Sequence, residues 1–263
     1  MTSSSTQSVR EQFGAVAAAY AVSSYHSKGP DLAAMIAAAE LTGIEKVLDM
    51  GCGAGHSAIA AATKAAHVTA LDVTPEMLEV AARMAAERGL ANMTFQQGDV
   101  SALPFADGSF DVVTSRVSAH HYADPVSALS EALRVIRPGG RFLLVDTIAP
   151  EDPTLDTFYN CFELLRDSSH VRNWRATEWL RMLKTAGFAA TLLDRYVLRL
   201  EGANWVERMR TPASKVAMLR ELFRDATPAI RAAFEVGDDP WIFSIPIGLF
   251  SAVKPTEAPS KRS

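Results

Sequence analysis

Cysteine is scarce in this chain: Cys52 and Cys161 are the only two, and they stand far apart without CxxC spacing. That scarcity argues against a disulfide framework and a thiolate zinc site, and it fits a reducing cytoplasm. Positive charge is also in short supply, with 26 Lys and Arg against 30 Asp and Glu, a formal net charge of −4 and a pI near 5.9. Without an overall basic field, phosphate backbones and anionic lipid are poor partners, so nucleic acid is not expected as substrate. No window is apolar for long enough to cross a bilayer, and the opening MTSSSTQSVR lacks the apolar centre of a secretion signal. These absences predict a cytoplasmic protein without membrane insertion. The polar tail KPTEAPSKRS is expected to fray.

What is present is an ordinary globular composition, 48% hydrophobic and 21% charged over 263 residues, enough for one elaborated domain. After a helical stretch over 11–41, strand-like runs alternate with helix-like ones, the pattern of a parallel sheet covered on both faces. The strands are expected at 46–50, 67–72, 93–97, 110–116 and 140–146. Between them, PEMLEVAARMAAERGL has Pro75 in a first turn and Gly89 at its end, and Pro138-Gly139-Gly140 reads as a turn before the fifth strand. Past Asp146 the rhythm changes. A polar and aromatic helical insertion precedes ATEWLRMLKTAGF, a helix with Thr177 as its N-cap and Gly187 as its stop. A strand at 190–200, a second helical insertion and a last apolar run at 241–253 follow, with Pro246 expected to bend that run or hold it near an edge. The chain therefore reads as a single domain: a helical lid over 1–45, a binding core over 46–150, and insertions over 151–175 and 203–238 that shape a pocket.

The segment VLDMGCGAGHSAIAAA joins a strand to a helix through Asp49, Gly51, Gly53 and Gly55. Glycines at this spacing let backbone amides approach a ligand, and ligands of open parallel sheets bind beyond the carboxyl ends of the strands. The dinucleotide fingerprint needs Gly or Ala where His56 stands, and a phosphate loop needs a Lys that is missing. Asp72 ends the second strand, where a carboxylate can accept hydrogen bonds from ribose hydroxyls, and Asp99 follows the third, where it can accept from an adenine amine. Either can equally be a helix cap.

Taken in order, VLDMGCGAGHSA, ALDVTPEML, GDVSALPFADGSFDVV and EALRVIRPGGRFLLVD resemble the class I S-adenosylmethionine-dependent methyltransferases, in the small-molecule branch related to the ubiquinone/menaquinone biosynthesis methyltransferases. The resemblance implies an α/β Rossmann-like, doubly wound, seven-stranded sheet with its last strand antiparallel. It also implies S-adenosylmethionine as cofactor, becoming S-adenosylhomocysteine. Asp49, Gly51, Cys52, Gly53 and Gly55 would lie along the methionyl part, with Asp72, Val73 and Met77 at the ribose side, Asp99 and Val100 at the adenine, and Arg116 at the end of the fourth strand. Tyr20 and His26 lie where a lid would close, an aromatic face being suited to a sulfonium. Cys52 is then a backbone contact and not a nucleophile.

Methyl transfer needs alignment and exclusion of water, and a base only if the acceptor loses a proton. The base candidates are His120 and His121, after strand four, and Asp146, at the end of strand five. Each has a plainer reading as a cap or packing residue. Paired histidines also suggest a metal, with Asp146 and His170 as distant further ligands, but no metal requirement is expected. For the acceptor, a small and partly apolar metabolite, Tyr122, Asn160, Arg166, His170 and Arg172 are the candidate contacts, the arginines because guanidinium groups recognise carboxylates and phosphates. The alternatives are a protein that binds S-adenosylmethionine without methylating, as a cyclase or sensor, and an NAD(P)-dependent oxidoreductase. The acceptor and the oligomeric state are not encoded in a readable way.

Overall fold

A computed structural model describes residues 4–21, 28–237, 239 and 241–256. Seven strands form one sheet in the order β3-β2-β1-β4-β5-β7-β6. They are β1 (Lys46–Met50), β2 (His67–Asp72), β3 (Met93–Gln97), β4 (Phe110–Arg116), β5 (Ile136–Thr147), β6 (Ala189–Glu201) and β7 (Ile242–Val253). The first five pair in parallel, whereas β7 runs antiparallel to both neighbours, as expected. The chain reverses strand order between β1 and β4, which opens a crevice at their carboxyl ends.

The described helices are α1 (Ser4–Ala21), α2 (Pro30–Ala38), α3 (His56–Ala62), α4 (Pro75–Glu87), α5 (Pro125–Val135), α6 (Pro153–Arg166), α7 (Ala176–Ala186), α8 (Gly202–Arg208), α9 (Ala213–Arg224) and α10 (Pro228–Ala233). Within the expected helical stretch over 11–41, the described residues include α1 and α2, the latter starting at Pro30, whose fixed φ suits a first turn. Three further expectations need correction. Arg175, not Thr177, caps α7, because Glu178 bonds back to the Arg175 amide. Pro138-Gly139-Gly140 does not precede the fifth strand but lies inside it, taken up where the pairing with β4 shifts register between Phe110 and Val112. Pro246 sits in an interior strand, opposite Val197 of β6, and on the β5 side its carbonyl still accepts from Ile148 N at 3.0 Å just past the last paired residue, so only its missing N–H departs from the ladder.

Both sheet faces are packed, one around Leu48, Phe142 and Trp179, the other around Met35, Val47 and Leu143. The insertions add a third core of their own, in which Phe158, Tyr159, Phe162, Phe223, Phe234 and Phe243 meet edge-on or stacked. This aromatic knot seats α6, α8 and α9 beyond the end of β5. Gly202 opens α8 against Trp241, and a Cβ there would overlap the indole. Gly202→Ala is therefore expected to destabilise the fold by about 1–3 kcal/mol, measurable by urea unfolding.

Candidate active site

The loop after β1 turns through positive φ at Gly51 (67°), Gly53 (51°) and Gly55 (83°), conformations that glycine adopts without a Cβ penalty. The three do different things. A Cβ on Gly51 would strike Ser118 Oγ at 2.6 Å and one on Gly55 would strike Ala81 at 2.7 Å, whereas one on Gly53 would meet nothing within 4 Å. Gly53 thus faces open space, a cavity of about 300 Å³.

Asp72 ties this loop to β2. Its Oδ2 accepts from the Gly53 amide at 2.8 Å and its Oδ1 from the Thr74 amide at 2.9 Å. Burial raises its pKa, against the pull of those amides. Cys52, Val73, Met77, Asp99, Val100, Arg116, Tyr20 and Tyr122 share the same cavity wall. Asp99 Oδ1 accepts from Ser101 N and Oγ, and its Oδ2 accepts from Thr6 Oγ1 at 3.1 Å, so the start of α1 reaches across the end of β3. Burial and the nearby Asp72 and Asp49 push the Cys52 thiol well above its ordinary value, which leaves no nucleophilic thiolate.

Asp49, in β1, and Gly55, where the loop meets α3, lie outside the lining: Asp49 accepts from Thr114 Oγ1 at 2.7 Å, and burial pushes its carboxyl up to about 7. Tyr122, expected as an acceptor contact, lines this cavity, its hydroxyl donating to Met50 O at 3.2 Å under the glycine loop. Arg116 is held by the buried Asp31 at 2.6 Å. Val117, which follows, is a β-branched residue at φ 52°, a strained conformation fixed by its amide donating to Val145 O at 2.7 Å. His26 lies outside the described residues.

A second cavity of about 60 Å³ adjoins the first, and Phe13, Tyr20, Val117 and His121 line both. His120 is on its wall. Asp146, wholly buried at the end of β5, accepts from the His120 amide at 3.0 Å and sits 2.6 Å from His120 Nδ1. Burial disfavours the imidazolium, but the Asp146 carboxylate outweighs it and raises the His120 pKa. His121 differs. Burial and the charge of His120 lower it to about 4, and its Nδ1 meets Ser169 O at 3.1 Å. Burial first, and the neighbouring positive groups, take His170 down to about 2, so it is a neutral ring. Among the described residues no group of three or more His, Cys, Asp or Glu is arranged to hold a metal ion.

Of the proposed acceptor contacts, Arg166 alone lines this second cavity. Asn160 is consumed by Asp156, His170 and Asn173, and Arg172 by Asp156 at 2.8 Å and the face of Trp174. His170 packs behind His120, its ring centroid 5.8 Å away. Sequence reasoning missed Glu163, Arg208 and Trp205 in the same wall. A signal existed for the first: Glu163 lies four residues after Tyr159, on the buried face of α6, where a charge is out of place.

The family described as "Methyltransferase domain" matches residues 42–187, more than half of the chain. An uncharacterized methyltransferase of Bacillus subtilis, YcgJ, is 41% identical over 208 residues, covering 79% of this chain and 82% of the relative. Its crystal structure superposes with a TM-score of 0.83 at 38% identity, over 86% of this chain and 98% of that one. A demethylmenaquinone methyltransferase of Clavibacter sepedonicus is 34% identical over 166 residues, 56% of this chain and 66% of the relative. With the strand order and the glycine loop, these matches place the chain in the class I S-adenosylmethionine-dependent methyltransferases, related to the ubiquinone/menaquinone biosynthesis enzymes.

Proposed function

We propose that the enzyme methylates a small, partly apolar acceptor seated in the second cavity, with His120 receiving the acceptor's proton. The observation that carries this reading is the His120–Asp146 pair at 2.6 Å on the wall of a cavity that shares four residues with the first.

The first cavity suits the family's cofactor in size and donor set. Gly53 leaves open space where any side chain would intrude, and acidic groups stand at the ends of β2 and β3. In this assignment the backbone of Gly51, Cys52 and Gly53 borders the methionyl part, with Asp49 and Gly55 flanking the loop. Asp72 takes the ribose hydroxyls beside Val73 and Met77, Asp99 and Val100 take the adenine edge, and Arg116 closes the far wall. Bound S-adenosylmethionine supplies an electrophilic methyl group and departs as S-adenosylhomocysteine.

The protein's own part is alignment. Helix α1 bridges the two halves as a lid: Thr6 reaches Asp99, Gln12 Nε2 donates to Met209 O at 2.9 Å, and His56 Nε2 lies 3.0 Å from Tyr20 O. Closure of this helix excludes water from the reacting atoms. Asp146 holds Nδ1 of His120, which leaves Nε2 to accept a proton from an acceptor hydroxyl or amine as the new bond to methyl forms. His121, neutral and shared by both cavities, packs edge-on to Phe13 at 4.9 Å and orients the wall without carrying charge.

Incubation of the protein with methyl-labelled S-adenosylmethionine and a metabolite extract, read by mass spectrometry, tests the reading. A labelled product lost in His120→Ala is expected. Cofactor binding with no label moved across broad extracts would instead mark a protein that binds S-adenosylmethionine without transferring its methyl group.

A further inference from the structure

Arg208 is engaged only in part: it hydrogen-bonds to Tyr20 and is drawn by the Glu163 carboxylate. It ends α8 on the wall of the second cavity, its Nε is buried without a hydrogen-bond partner, and its guanidinium carbon lies 5.9 Å from the centre of the Tyr20 ring. Arg166, beside it, is engaged: Nε donates to Trp205 O at 3.1 Å and Nη1 lies 3.6 Å from Glu163 Oε2. Burial, and then the positive charge of Arg166, pull the Arg208 pKa down against the opposing effects of Tyr20 and Glu163.

The charges facing this space are Arg166, Arg208 and His120 against one carboxylate, Glu163. Asp146 stands behind His120, and Asp167 is turned to Ser169 at 2.6 Å and to His121 at 3.8 Å. Glu163 is shared between Arg166 and Arg208, and Asp146 answers His120, so three cationic groups meet two carboxylates here. A half-buried guanidinium that shares its one carboxylate and leaves Nε unbonded keeps donor capacity in hand, and a carboxylate meets its fork with two parallel hydrogen bonds. A phosphate dianion would bring a second charge against Glu163 into a small space. The remaining wall is apolar, with Leu200, Trp205 and Ile245.

From this arrangement we infer that the acceptor is a small carboxylic acid with an apolar body, its carboxylate held by Arg208 alongside Arg166 while its nucleophilic group faces His120. The inference rests on the reading of the second cavity as the acceptor site.

The test uses the full chain saturated with S-adenosylhomocysteine and titrated with benzoate against benzamide and hexanoate against hexanamide. At least one carboxylate is expected to bind tenfold or more tightly than its amide. Arg208→Met should abolish that preference while leaving the amide and S-adenosylhomocysteine affinities within twofold, and Arg208→Lys should retain part of it. The melting temperature separates a ligand anchor from a structural arginine, since a guanidinium whose main use is the ligand should leave it unchanged when removed. No preference for either carboxylate, a preference that survives Arg208→Met, or a lowered melting temperature with both arginine variants would overturn the inference. Failure to bind S-adenosylhomocysteine in the first titration would instead refute the functional reading beneath it.

Discussion

Asp72→Ala is expected to raise the dissociation constant for S-adenosylmethionine about 100-fold, read by calorimetric titration. The carboxylate has two tasks at once. Toward the protein it anchors the Gly53 and Thr74 amides, and toward the cavity it presents its remaining lone pairs where ribose hydroxyls would lie. Hydrogen bonds to a charged group are worth about 1.5–3 kcal/mol each, so two lost near the lower end amount to about 3 kcal/mol, or 100-fold. Asp72→Asn keeps the shape but turns one acceptor into a donor, opposing an amide N–H, and should fall between. Because the Cys52 amide donates separately to Leu71 O at 3.0 Å, the loop keeps a second tether and the fold should survive either change. Unaltered affinity in Asp72→Ala would remove this residue from the cofactor site.

The second large effect concerns the base. His120→Ala should lower kcat by about 10²–10⁴, the usual contribution of a positioned general base. Asp146→Asn reaches the same chemistry through a positioning residue, and its pH profile tells the two roles apart. In the parent enzyme the neutral, proton-accepting form of His120 exists only above its raised pKa, so the rate climbs with pH through a value above 6.5. With the carboxylate charge gone, the opposing effect of burial is left and the pKa falls. The limb should therefore move to lower pH while its plateau drops, because a base of lower pKa accepts a proton less readily. The double variant should be little worse than His120→Ala alone, since the two act as a unit. A merely structural Asp146 would lower the plateau without moving the limb.

Much of the sheet was legible because its signals are local. β1 and β2 are short, largely apolar runs closed at once by Gly51 and Asp72, and Asp72 and Asp99 stand at or just past strand ends that any parallel sheet brings to one edge. The acceptor side was less legible because its contacts are made across the chain. Arg166 and Arg172 look alike in sequence, but Asp156 on the preceding helix claims Arg172 together with Arg175, and only Arg166 is left facing the cavity. Arg208 joins Arg166 only because the aromatic knot folds α8 back onto α6, with Phe162 and Trp205 5.8 Å apart. No periodicity in either segment encodes that meeting. The Pro138-Gly139-Gly140 turn was misplaced for a related reason: β4 tolerates a shift in register there, and the strand begins before the turn.

The aromatic core that seats the insertions is separate from the two cores that sandwich the sheet. This separation divides the molecule into a conservative half and a permissive one for directed evolution. A combinatorial library confined to Leu198, Arg166 and Arg208 would alter one cavity wall while the glycine loop, Asp72 and the aromatic core stayed as they are. New acceptor preferences should then emerge at nearly constant donor affinity, the modularity that lets one methyl-transfer scaffold be retrained for many small molecules.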